Sequence, residues 1–147
     1  MHSRSVYELG YDIAELFEAS EEVELGDVLV IGADGRLEKS AAPYDSRVAG
    51  IVSAAPAILF EGSELQMAPV PFSFTKGSKP PLALVGRVVV KVTAENGPIK
   101  PGDLLTTSSV PGRAMRAGEY KPGAILGKAL EPLKQGEGRI RALVTLQ

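Results

Sequence analysis

Residues 84–109, LVGRVVVKVTAENGPIKPGDLLTTSS, decide the fold class of this chain. The run Val85-Gly86-Arg87-Val88-Val89-Val90-Lys91-Val92 is dominated by β-branched residues, which fit a pleated, half-buried surface. Turn chemistry follows at Glu95-Asn96-Gly97-Pro98, where Asn-Gly admits positive φ at little steric cost and Pro98 ends strand pairing. Pro101-Gly102 fits the centre of a type II turn, and Asp103 is placed to cap exposed backbone N–H groups as the next strand, from Leu104, begins. Strand, turn, turn, strand predicts a compact all-β unit and names no reaction.

Working outward, the same grammar recurs. Leu25-Gly26-Asp27-Val28-Leu29 aligns with Pro101-Gly102-Asp103-Leu104-Leu105. Gly35-Arg36-Leu37 aligns with Gly112-Arg113-Ala114, and Val48-Ala49-Gly50-Ile51-Val52 with Ile125-Leu126-Gly127-Lys128-Ala129. Each copy reads turn, Gly-Asp, strand, hairpin, strand, loop, Gly-containing strand. Three features in one order predict an internal duplication, with halves at 23–59 and 98–133, inside a single β-clip or barrel-like domain spanning 21–147. Gly26, Asp27, Asn96, Gly97, Gly102 and Asp103 are read as structural turn residues. Ala33-Asp34-Gly35-Arg36 predicts a hairpin, and Gly138–Leu146 a terminal strand.

Residues 1–20 admit two conformations. From Asp12 an amphipathic helix is conceivable, with Glu15 completing a capping box and Ile13, Leu16 and Phe17 on one face. Gly10 and the β-compatible Val6, Tyr7, Leu9, Tyr11 and Ile13 favour an extended arm, which is the reading adopted. Between the two copies, residues 60–81 form a Pro-rich inserted flap. Pro69, Pro71, Pro80 and Pro81 argue against a central strand there. Met67, Val70, Phe72 and Phe74 are then apolar residues on a loop. They cover either the domain's own core or a neighbouring subunit, and the latter is the candidate interface.

Composition bounds the function. A net charge of -2 and a pI near 5.5 give no electrostatic reason for a nucleic-acid partner. No apolar run approaches the length that spans a bilayer, so no membrane insertion is expected. The N-terminus lacks the apolar segment of a secretory signal, which suits cytoplasmic synthesis followed by assembly into a virion-like or extracellular particle. The absence of cysteine removes disulfides, thiol nucleophiles and thiolate metal sites. His2 is the sole histidine, which removes His-based triads and multi-His metal sites. No phosphate-cradling or dinucleotide-binding glycine motif occurs, so no cofactor is expected. The one cluster with chemical potential is Asp12, Glu15 and Glu18, since neighbouring carboxylates can divide acid and base roles between them.

Tyr11-Asp12-Ile13-Ala14-Glu15-Leu16-Phe17-Glu18 resembles the Asp-x-Ala-Glu-x-Phe-Glu signature opening a C-terminal domain of phage appendage and tail-fibre proteins. That domain is of the intramolecular-chaperone type, a self-cleaving glutamic-peptidase family. The resemblance continues through Leu25–Val28, Tyr44–Pro56, Val85–Val88, Asn96–Ile99 and Pro101–Leu104, and so covers nearly the whole chain from Tyr11. It implies a β-rich homotrimer at the end of a fibrous protein, within a larger fibre or tail assembly. It also implies that Asp12 and Glu15, with Glu18 weaker, are the candidate catalytic acids of a nearby cut. Almost nothing precedes the signature, so no fibre to fold or release is expected, and bulky Tyr11 suits a strained cleavage site poorly. The preferred expectation is therefore a non-enzymatic, homotrimeric tip or fibre module of a phage-derived or injection-apparatus-like particle. An autoproteolytic domain is the runner-up, and a small-ligand or carbohydrate-binding β domain the third.

Overall fold

The computed structural model describes residues 12–53, 56–61, 64–67 and 79–147. Among these residues there are eleven strands and no helix. Val70, Phe72 and Phe74 lie outside the described residues, as does the chain before Asp12. From Asp12 to Leu16 the chain is a strand, β1, so the helical alternative does not form over those residues.

The first Gly-Asp turn leads into β2 (Val28–Ile31), which pairs with β3 (Leu37–Lys39) and β4 (Val48–Val52). Asp34-Gly35 makes the β2–β3 turn: Gly35 takes φ +85° and its N–H donates to the Gly32 carbonyl. β5 (Ile58–Glu61) and β6 (Glu64–Met67) form a hairpin, with β5 parallel to β1. Met67 thus lies on a strand, where the proline pattern predicts a loop. The longest strand, β7, runs from Pro81 to Thr93. Pro81 is tolerated because it opens the strand, where a missing N–H costs least, while its carbonyl still accepts from the Ser53 N–H.

The second Gly-Asp turn repeats the first. β8 (Leu104–Thr107) pairs with β9 (Ala114–Arg116) and β10 (Ile125–Ala129), and β11 (Glu137–Thr145) closes the chain against β10 and β7. Leu29 lies opposite Gly50 and Lys39, while Leu105 lies opposite Gly127 and Arg116. A register shift follows both Gly-containing pairings.

Ring closure follows from these pairings. β7, β9, β8, β10 and β11 form a closed five-stranded barrel, β7 meeting β9 in parallel at Val92 and Ala114. A second, looser ring runs β7, β1, β3, β2, β4 and back to β7. It closes through one parallel bridge, Ala19 to Leu37, where the Leu37 N–H donates to the Glu18 carbonyl at 2.9 Å. In chain order β7 is therefore the first strand of the five-stranded barrel and the last strand of the looser ring.

Two cores fill the rings. One gathers Val88, Val90, Val92, Leu105, Leu126, Ile140, Ala142 and Val144 with Val28, Val30, Val48 and Ile51. The other gathers Val23, Leu29, Leu37, Val52 and Leu82 against Phe17 and Leu25. β2 thus buries both faces, which explains its unbroken apolar sequence. Each fully buried Leu or Ile contributes about 1.5–3 kcal/mol, so the two cores supply the association of layers that no disulfide provides.

Candidate functional site: two buried carboxylates

β1 carries Asp12 and Glu15, two of the three acidic residues singled out in the sequence. Its burial alternates, with Asp12 and Ala14 facing inward and Ile13 and Glu15 on the opposite face. The structure therefore separates Asp12 from Glu15 across the sheet. Glu15 is half-buried, in the row with Phe60 and Leu82, and Glu18 is exposed beyond the strand end.

Asp12 is only 4% exposed. Its backbone carbonyl accepts from the Ala57 N–H at 2.9 Å, and its side chain is hydrogen-bonded by Ser53. Among the described residues, Oδ2 is buried without a hydrogen-bond partner. Burial is the dominant influence on this carboxyl, outweighing the hydrogen bond from Ser53, and pushes its pKa from 3.8 up to about 6. An acid of that strength exchanges protons near neutral pH, as a general acid or base must.

The other buried carboxylate is at the first Gly-Asp turn. Asp27 is 1% exposed, and its Oδ2 accepts the Glu24 backbone N–H at 2.7 Å. Its Oδ1 accepts from Lys91 Nζ at 2.8 Å. Lys91 is 6% exposed and also donates to Glu24 Oε1 at 2.6 Å. Burial pulls the Lys91 ammonium down, but the hydrogen bonds from Nζ to Asp27 and Glu24 outweigh it and hold its pKa above the usual lysine value. The hydrogen bond and charge of Lys91 in turn hold the Glu24 carboxyl below its ordinary range.

Sequence reasoning missed Lys91. The available signal was a lone cation inside a run of valines, which is costly unless an anion is waiting. Its anion lies 64 residues away along the chain. The second turn has no such group. Asp103 Oδ2 accepts the Lys100 N–H at 2.8 Å and lies 4.0 Å from the Arg116 guanidinium, in a more open setting. At the turns, Gly26, Gly97 and Gly102 take φ of +89°, +99° and +92°. The Asn96 side-chain amide donates to the Arg116 carbonyl. Among the described residues no group of three or more His, Cys, Asp or Glu is arranged to hold a metal ion.

No family model matches the chain, and no curated protein matches it in sequence. Solved structures that share its architecture include two of one phage protein. The C-terminal fragment of bacteriophage phi29 gene product 12 superposes with a TM-score of 0.62 at 15% identity, covering 91% of this chain and 100% of that one. The pre-mature phi29 gene product 12 gives 0.61 at 15% identity, covering 93% of this chain and 22% of the longer one. The chain therefore has the fold of the C-terminal fragment of phage phi29 gene product 12.

Proposed function

We propose that this chain is a structural and assembly domain of a phage-type particle, working as a homotrimer at a tip or fibre end. The observation that carries the reading is the extent of the structural likeness, which takes in 91% of this chain and the entire phi29 fragment. The molecule's own surface agrees with association. Phe60, Val85 and Leu143 are exposed. Ile58, Ile13, Val85 and Thr145 form one row across four strands, and Val85 and Leu143 lie diagonally on neighbouring strands. Covering such a face by neighbouring subunits gains about 25 cal/mol per Å² of apolar area. Native mass spectrometry of the purified chain tests this. A trimer is the expected species, and a monomer at micromolar concentration overturns the reading.

A second reading, an autoproteolytic intramolecular-chaperone domain, is favoured by one observation: Asp12 is buried, its Oδ2 has no hydrogen-bond partner among the described residues, and it is poised to exchange protons near neutral pH. Its separation from Glu15 makes Asp12 the stronger of the two candidates. The mass of the denatured chain tests this reading. A truncated species beginning near Asp12, abolished by Asp12→Asn, supports it. A full-length chain that stays intact on incubation defeats it.

A further inference from the structure

Asp27, Lys91 and Glu24 are arranged for more than an ion pair. An amine, a carboxyl carbon and a second carboxylate stand in hydrogen-bonded sequence: Nζ is 2.8 Å from Asp27 Oδ1 and 2.6 Å from Glu24 Oε1. Asp27 and Lys91 are both more than nine-tenths buried, while the Glu24 side chain is 69% exposed. The Asp27 carboxylate is polarised at one end, since Oδ2 accepts the Glu24 backbone N–H at 2.7 Å and Oδ1 faces the amine. Gly112 closes over the pair so tightly that a Cβ there would sit 2.5 Å from Oδ1. Gly26 packs on the lysine stem, where a Cβ would lie 3.3 Å from Lys91 Cγ. The reacting groups are therefore held together in a nearly dry pocket with one proton acceptor at its mouth.

We propose that Lys91 and Asp27 form an intramolecular isopeptide bond, with Glu24 as the proton shuttle. The ion pair is the resting arrangement. Reaction starts from the minor population in which Lys91 Nζ has passed a proton to the Glu24 carboxylate, an uphill transfer because the ion pair favours the charged form of both groups, and this leaves a neutral amine. Nζ then attacks Asp27 Cγ and forms the C–N bond, while Glu24 delivers that proton to Oδ1. Negative charge develops on Oδ2, where the Glu24 N–H already points, as an oxyanion donor must. A second proton moves from Nζ through Glu24 to Oδ1, the Cγ–Oδ1 bond breaks and one water leaves. Oδ2 remains as the amide oxygen and Glu24 regains its charge. The ammonium and carboxylate have become an amide and water, with no oxidant, metal or co-reactant. Proximity supplies the driving geometry, because the folded chain holds the two groups at an effective concentration far above any in solution. The product would tie the first Gly-Asp turn to β7, the strand that both rings share, by a link that survives unfolding.

The test is the intact mass of the full chain under denaturing conditions, with peptide mapping. The expected mass is that of the sequence less one water, and the expected map joins the Asp27 peptide to the Lys91 peptide without cleavage after Lys91. Lys91→Arg and Glu24→Gln are expected to restore the full mass. A wild-type chain at full mass, or a water loss mapping to Asp34-Gly35 as a cyclic imide, overturns the proposal. Persistence of the link in Glu24→Gln removes Glu24 from the mechanism. Because the wild-type mass is decisive, the test holds even where a variant fails to fold.

Discussion

The two Gly-Asp turns are built alike and used differently. In both, the aspartate accepts the backbone N–H three residues earlier, and its own N–H returns to that residue's carbonyl. In both, the glycine N–H reaches the neighbouring strand, Gly26 to the Val52 carbonyl and Gly102 to the Ala129 carbonyl. The difference lies outside the turns. Asp27 is covered by Gly112 and met by Lys91 from β7, whereas Asp103 stays partly open with only a distant guanidinium. One backbone motif thus yields a local cap in one place and a buried ionic clamp in the other. The local sequence sets the shape, and the strand brought opposite sets the consequence.

That contrast is broken most severely by Asp27→Ala, which leaves the Lys91 ammonium buried without its enclosed partner. Relative to a parent chain in which the two side chains are still an ion pair, the expected loss is about 3–5 kcal/mol of unfolding free energy in urea titration. A loss as small as that of Asp103→Ala would mean that Glu24 and solvent suffice for Lys91.

Asp12 sharpens the comparison from the other side, as a buried carboxylate with no cation beside it among the described residues. Its folded pKa of about 6 lies above the unfolded 3.8, so ionisation penalises the native state. The native state then holds the proton that the unfolded state has lost, and stability falls as pH rises between these values. At about 1.4 kcal/mol per pKa unit the full penalty is about 3 kcal/mol above pH 6. Asp12→Asn is expected to be more stable than the parent at pH 7, with an advantage that shrinks by about that amount at pH 4. Equal pH dependence in both proteins would show that Asp12 is not the titrating group.

Gly50 and Gly127 test whether the equivalence of the two rings extends to steric detail. A Cβ at Gly50 would lie 2.5 Å from the Ala83 carbonyl oxygen, and one at Gly127 would overlap the Leu143 carbonyl oxygen. Each alanine variant is expected to lose about 2 kcal/mol in the same titration, more at Gly127, because a neighbouring strand must move. A neutral Gly127→Ala would refute the close approach. The smallest effect belongs to Asp103→Ala, about 1 kcal/mol for one partly exposed capping bond.

Much of this architecture was legible because it is local. Glycines at Gly35, Gly97 and Gly102 mark positive φ whatever surrounds them, and β-branched runs mark strands through their own sterics. The pairing of Gly50 with Gly127 in the sequence has a steric cause in each ring, a strand carbonyl passing where a side chain would stand. The proline pattern misled at β6, since a proline-rich stretch does not forbid a short hairpin at its N-terminal end. Asp12 and Glu15 read as a pair in the sequence, yet a strand's alternation puts residues three apart on opposite faces.

By itself, then, the sequence determined the all-β class, the turns and the recurrence of the Gly-Asp unit, because each depends on backbone preferences within a few residues. Only the tertiary structure decided that β7 serves two rings, that Lys91 meets Asp27 and that Asp12 is buried. Those outcomes depend on which distant strand lies alongside, and the free energy that selects it is spread over both cores rather than written in any one segment.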